Sequence, residues 1–137
     1  MNAKEYLLEI KMNRRKINIL QAEVERLRTD AESVSISLDG MPKGSGKNSK
    51  WENIVIQLAE CEEQLVEQLA ELWSKQMHAI ELIGRLKPKH QMILTEYYIS
   101  DKTWERIAYE QGITWRSVYR LSDRALREFE KVLNENN

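Results

Sequence analysis

The chain has 137 residues, 42% of them hydrophobic and 31% charged, and a formal net charge of −1. That is the composition of one or two small helical domains with enough apolar side chains for a core. A single cysteine excludes an internal disulfide and a cysteine-rich metal cluster, and no apolar run is long enough to cross a bilayer.

The first element in chain order is a long amphipathic helix from Ala3 to about Leu38. Ile10, Ile17, Val24, Ala31 and Leu38 recur every seven residues, as do Leu20, Leu27 and Val34, with Tyr6 in the same phase. Lys, Arg, Glu and Gln fill the positions between them, so the apolar seam is narrow and suits a coiled coil or a helical hairpin. Asn13 occupies a seam position, where a polar residue fixes register at some cost in stability. The N-terminal MNAKEYLLEIK is charged from Lys4 onward and does not resemble a secretory signal, which points to the cytoplasm.

SLDGMPKGSGKNSK, about residues 37–50, interrupts the heptads with glycines, a proline and serines and is expected to be a loop. Its GSGK does not make a phosphate-binding loop. Met41 stands where that motif needs a glycine, Asn48 follows Lys47 in place of Ser or Thr, and no strand precedes it. A second helical pattern follows, carried by Trp51, Ile54, Val55, Leu58, Leu65, Leu69, Leu72, Ile80 and Ile83. Two helices of similar length around a connector predict an antiparallel hairpin over residues 1–84. The seam Ile10, Ile17, Leu20, Val24 and Leu27 can pair with the second helix or with another chain.

Residues 85–137 break the heptads. Arg85-Leu86-Lys87-Pro88 opens a short helix with proline at its first position, where the missing N–H costs nothing. Ile93, Leu94, Tyr97 and Tyr98 give it an apolar face, Ser100-Asp101-Lys102 turns the chain, and Thr103 caps the next helix. Ile107 and Ala108 before Gly112, with Ile113, Val118 and Leu121 after it, have the spacing of a helix-turn-helix. Ala108 permits a close helix crossing, Gly112 takes a positive φ, and Thr114 caps the second helix.

The charge pattern agrees with that placement. Residues 1–84 hold 11 basic and 14 acidic residues, residues 85–137 hold 10 and 8, and residues 114–127 hold four Arg against one Asp. Arg116, Arg120 and Arg124 are spaced by four and Arg127 follows three later, a stripe opposite the inward Val118, Leu121, Ala125 and Phe129. Such a stripe matches the phosphates and guanine edges of a major groove. The first residues of a recognition helix reach base edges, so Thr114, Trp115, Arg116, Ser117, Tyr119 and Arg120 join Arg124 and Arg127 as the candidate DNA-binding set. His78 and His90 lie apart, Cys61 is alone, and no acid–base pair has a supporting motif. Neither catalysis, a cofactor nor a metal is expected.

LKPKHQMILTEYYISDKTWERIAYEQGITWRSVYRLSDRALREF resembles the fourth region of bacterial sigma factors, the helix-turn-helix that reads the −35 promoter element. The resemblance rests on the Leu-x-Pro start, the Ile-Leu-x3-Tyr helix, the Thr-Trp-Glu-x-Ile-Ala helix and the Val-x2-Leu-x3-Ala-Leu helix. Nothing here resembles the sigma region that melts the −10 element. The whole chain, including LDGMPKGSGK and the Leu-rich helix after it, is similar to small phage and prophage proteins related to the ArpU and RinA types of late-gene regulators. The resemblance implies a bacterial host cytoplasm, double-stranded DNA as partner, and RNA polymerase as a possible second partner.

The expected architecture is therefore all-α: a helical hairpin, residues 1–84, and a sigma-region-4-like helix-turn-helix domain, residues 85–137, with a recognition helix at about 115–130. The expected function is sequence-specific transcriptional regulation by a homodimer, because helix-turn-helix proteins often match two-fold DNA sites. A small terminase-like DNA-packaging subunit and an RNA-polymerase-binding adaptor would use the same parts.

Overall fold

Five α-helices and one π-helical turn account for nearly all of residues 2–38 and 45–136, which the computed structural model describes. They are α1 (Ala3–Leu38), α2 (Ser45–Ile83), α3 (Pro88–Leu94), the π turn Thr95–Ile99, α4 (Trp104–Gln111) and α5 (Trp115–Glu135). No strand occurs among the described residues, and the chain is all-α. Among them, too, no helix is long and apolar enough to cross a membrane. The chain divides into two packing units, Arg15–Glu71 on one hand and Met1–Arg14 with Leu72–Asn137 on the other.

Arg15–Glu71 buries the heptad residues Ile17, Val24 and Leu27 of α1 and Ile54 of α2, while Leu20, Val34, Leu58 and Leu65 are half-buried. Arg28 reaches across to Glu62 at 3.1 Å. Along α1, Arg26 pairs with Glu23 and Asp30, contacts that support an exposed helix by roughly 0.2–0.5 kcal/mol each. Two sequence expectations change in this unit. Residues 45–50, expected within the connector, already belong to α2; Lys47 to Lys50 hold no breaker, and one glycine in a first turn costs only about 1 kcal/mol relative to alanine. Residues 39–44, where the rest of that connector falls, lie outside the described residues. Trp51 and Leu69, members of the apolar pattern expected for the second helix, are exposed, because α2 carries apolar residues on more than one face and only one face meets α1.

The other unit is built around Leu7 and Ile10 of α1, Leu72, Ala79 and Leu82 of α2, and the buried faces of α3 to α5. Lys75 pairs with Glu9 and the Tyr6 hydroxyl meets His78 Nδ1 at 2.6 Å, so α1 and α2 run in opposite directions here. Ile80, a member of the apolar pattern expected for the second helix, is 39% exposed, and Trp73 and Met77 of the same helix are exposed with it. Pro88 opens α3 as expected.

The π turn was not foreseen. Ser100 N–H donates to Thr95 O at 2.9 Å, a span of five residues, and the extra residue rotates the register so that both Tyr98 and Ile99 are buried. Tyr97, expected on the inward face, is left half-buried. Lys11, only 5% exposed, secures the chain after this turn. Its Nζ donates to Tyr97 O at 3.1 Å, pairs with Asp101 at 2.9 Å and lies 3.7 Å over the Tyr97 ring. A buried ammonium needs such partners, since desolvating it alone costs several kcal/mol, roughly.

Candidate nucleic-acid interface

α4 and α5 are defined at their ends by local chemistry. Thr103 accepts from Arg106 N–H at 3.1 Å and caps α4; Thr114 accepts from Ser117 N–H at 3.1 Å and caps α5. Between them Gly112 adopts φ 65° and ψ 34°, and Ile113 N–H donates back to Ala108 O at 3.0 Å. A left-handed residue closing a helix in this way satisfies carbonyls that would otherwise be orphaned. Ile107 and Ala108 are buried on α4, and Val118, Ser122, Ala125, Phe129 and Leu133 form the buried face of α5. These spacings of three and four leave one face of α5 outward.

Arg116, Arg120, Arg124 and Arg127 all lie on that outward face and are exposed. Among the described residues, none of the four makes an ion pair or a side-chain hydrogen bond. Several other cations of the same unit are paired: Arg85 with Glu81, Arg106 with Glu110 at 2.8 Å, and Lys102 with Glu96 and Glu110. The hydrogen bond from Lys102, then that from Arg106, holds the Glu110 carboxyl below the usual carboxylate range.

The arginines are not equivalent. Arg120 and Arg124, with Ser117, line an open groove of about 460 Å³ whose other wall carries Lys89 of α3 and Gln111 at the end of α4. Arg127 lines a separate hollow together with Asp123, Glu130 and Lys4. Arg116 stands in the first turn of α5, which contains no acidic residue.

Lys89 and Gln111 were missed by the sequence reading, because nothing in the periodicity of either segment ties it to the α5 stripe. Next to Lys89, His90 Nδ1 and Glu128 Oε2 share a hydrogen bond that joins α3 to α5. That bond is the main reason the Glu128 carboxyl sits below its ordinary range.

Aromatic rings border the stripe. Trp104 stacks on Tyr97 with centroids 3.6 Å apart and planes 9° apart. Tyr119 continues the row 5.9 Å from Trp104, and Trp115 lies 5.5 Å from Tyr119. Trp115 and Tyr119 nevertheless remain 44% and 48% exposed. Thr114 and Ser117 are exposed too, but the Thr114 hydroxyl is engaged with Ser117, both as a cap and by donating to its Oγ at 3.0 Å. Their role in the fold is thus capping. Among the described residues there is no group of three or more His, Cys, Asp or Glu able to hold a metal.

An all-α chain with one unpaired basic helix face is the class these observations define. By sequence, the chain belongs to a family of proteins of unknown function, DUF1492, whose model matches residues 33–130. That span takes in α3, α4 and most of α5. No curated protein and no solved structure matches it.

Proposed function

We propose that the protein is a sequence-specific, double-stranded-DNA-binding transcriptional regulator of the phage type, acting in the bacterial cytoplasm. In this reading α4 and α5 are a helix-turn-helix similar to the fourth region of sigma factors, with α5 as the recognition helix. α1 and α2 are the helical hairpin that carries it. The observation that supports the reading most is the set of four α5 arginines with no internal acid, in a chain that pairs the exposed Arg26, Arg28, Arg85 and Arg106 with glutamates. Phosphates are the polyanion such a face fits, and the acid-free first turn of α5 adds the positive end of a helix dipole.

Recognition of a two-fold site requires two copies. The seam Ile10, Ile17, Val24 and Leu27 is buried within the chain's own units and is occupied. Val66, Leu69, Trp73, Met77 and Ile80, exposed on α2 at spacings of three and four, are apolar side chains left for a second copy.

The test is a salt titration of full-length protein binding to fragmented genomic duplexes and to an internal promoter-like duplex recovered from them. Affinity that falls steeply with salt, with one recovered duplex preferred, is the expected result. Salt-independent binding, or no binding at 50 mM salt, roughly the low end used for such titrations, removes the reading.

A further inference from the structure

Trp115 and Tyr119 are large, half-exposed rings at the N-terminal end of α5, and the row behind them is packed rather than loose. Tyr119 leans on Trp104, Trp104 is stacked on Tyr97, and the buried Lys11 ammonium lies over Tyr97. A ring backed in this way holds its position and loses little freedom on contact, which favours recognition over fluctuating hydrophobic contact. On α5, Trp115 and Tyr119 lie one position, about 100°, from Arg116 and Arg120, so a partner broad enough to span both edges of the helix reaches the rings and the arginines together.

A partner that covers both needs phosphate charge and an apolar group side by side. Duplex DNA offers that combination in one place: among the major-groove base edges, only thymine presents a methyl group. We propose that Trp115 and Tyr119 form an apolar shelf that reads thymine 5-methyl groups in the major groove. This rests on the DNA-binding reading of α5 and adds to it the chemical feature that the N-terminal end of the helix selects. Arginine contacts favour guanine or phosphate and leave thymine unread. The shelf therefore sets specificity at base pairs where the arginines set only affinity.

The experiment uses the full-length protein and a duplex selected by it from a randomised library. Each thymine of that duplex is replaced singly by deoxyuridine, which removes only the methyl. The wild type is expected to lose about fourfold in affinity at each thymine the shelf covers, the equivalent of the ~0.8 kcal/mol of one buried CH₂. Trp115→Ala binds more weakly and no longer distinguishes thymine from deoxyuridine at one of those positions, whereas Trp115→Phe keeps the distinction. Tyr119→Ala is the second probe, should Trp115→Ala lose helix content by circular dichroism. Two results overturn the shelf while leaving DNA binding intact: indifference of the wild type to every deoxyuridine, or discrimination that persists unchanged in both alanine variants. Failure of the wild type to select any duplex overturns the DNA reading and the shelf with it.

Discussion

Gly112 is the position where one atom should decide how α4 meets α5. Its φ of 65° lies in the left-handed region, and a β-carbon built there would meet no heavy atom within 4 Å. Gly112→Ala therefore creates no clash, and its cost is confined to the backbone. An L-residue in the left-handed well loses roughly 1–2 kcal/mol, and the lower entropy of the unfolded alanine chain returns about 0.4–1 kcal/mol. The net expectation is a destabilisation of up to about 1.6 kcal/mol, centred near 0.8 kcal/mol. Gly112→Asn should be close to neutral, since asparagine visits this region readily. Gly112→Val should exceed the alanine cost because β-branching crowds the same backbone. Urea unfolding of the three variants at constant m-value reads the series directly. Alanine no more costly than asparagine would mean that φ at 112 is not positive in solution, and the turn between α4 and α5 would have to be redrawn.

Other expectations concern charge. Arg124→Ala should lower the salt slope of DNA binding by about 0.9, one phosphate contact, and Arg127→Ala by less, because Asp123 and Glu130 line its hollow. Arg106→Ala, which leaves Glu110 paired with Lys102, is the control, and equal losses for all three would reduce the stripe to diffuse charge. Burial pushes the Tyr98 hydroxyl up to about 12. A raised pKa favours the folded protein below the unfolded value near 10 and withdraws that stability as pH climbs toward 12. Tyr98→Phe should accordingly keep on the order of 2–3 kcal/mol that the wild type loses across this window in alkaline melts; parallel losses refute the burial argument. Glu128 is shifted the other way, so its contribution is present above the ordinary carboxylate range and disappears as pH falls through the lowered value. Glu128→Gln should flatten that part of the acid limb in thermal melts, and an unchanged acid limb would mean that the bond to His90 is absent in solution.

What could be read from sequence was set by local chemistry. The caps at Thr103 and Thr114, the proline start at Pro88 and the positive φ of Gly112 each depend on a few neighbouring residues, and each is found where its residues stand. The outward placement of the arginines follows from helical period alone. The features that escaped are tertiary. The register shift at Thr95–Ile99 arises because Tyr98 and Ile99 are both buried. Lys11 is inward because Asp101 and the Tyr97 carbonyl, some 90 residues later, receive it. Lys89 joins Arg120 and Arg124 only through the packing of α3 on α5. Trp51, Leu69 and Ile80 share the apolar pattern of α2 yet are exposed, because apolar spacing identifies faces without saying which face finds a partner.

The arginine face also works against its own helix. Like charges at i,i+4 oppose a helix by roughly 0.2–0.5 kcal/mol per pair, and α5 accepts such pairs at Arg116–Arg120 and Arg120–Arg124. It adds a cation in a first turn where the helix dipole favours an anion, whereas α4 places Glu105 there. On α1, the same spacing is used for Arg26 with Asp30 and contributes stability. α5 thus forgoes about 1 kcal/mol of helix stability that a few glutamates would recover. The face is nevertheless carried by a helix well anchored through Val118, Ala125 and Phe129, each fully buried. Local rules broken on a well-supported element mark the places where binding, rather than folding, constrains the sequence. On the proposed DNA-binding reading, phosphates lying between the arginines relieve their opposition and turn this unfavourable face into a favourable one.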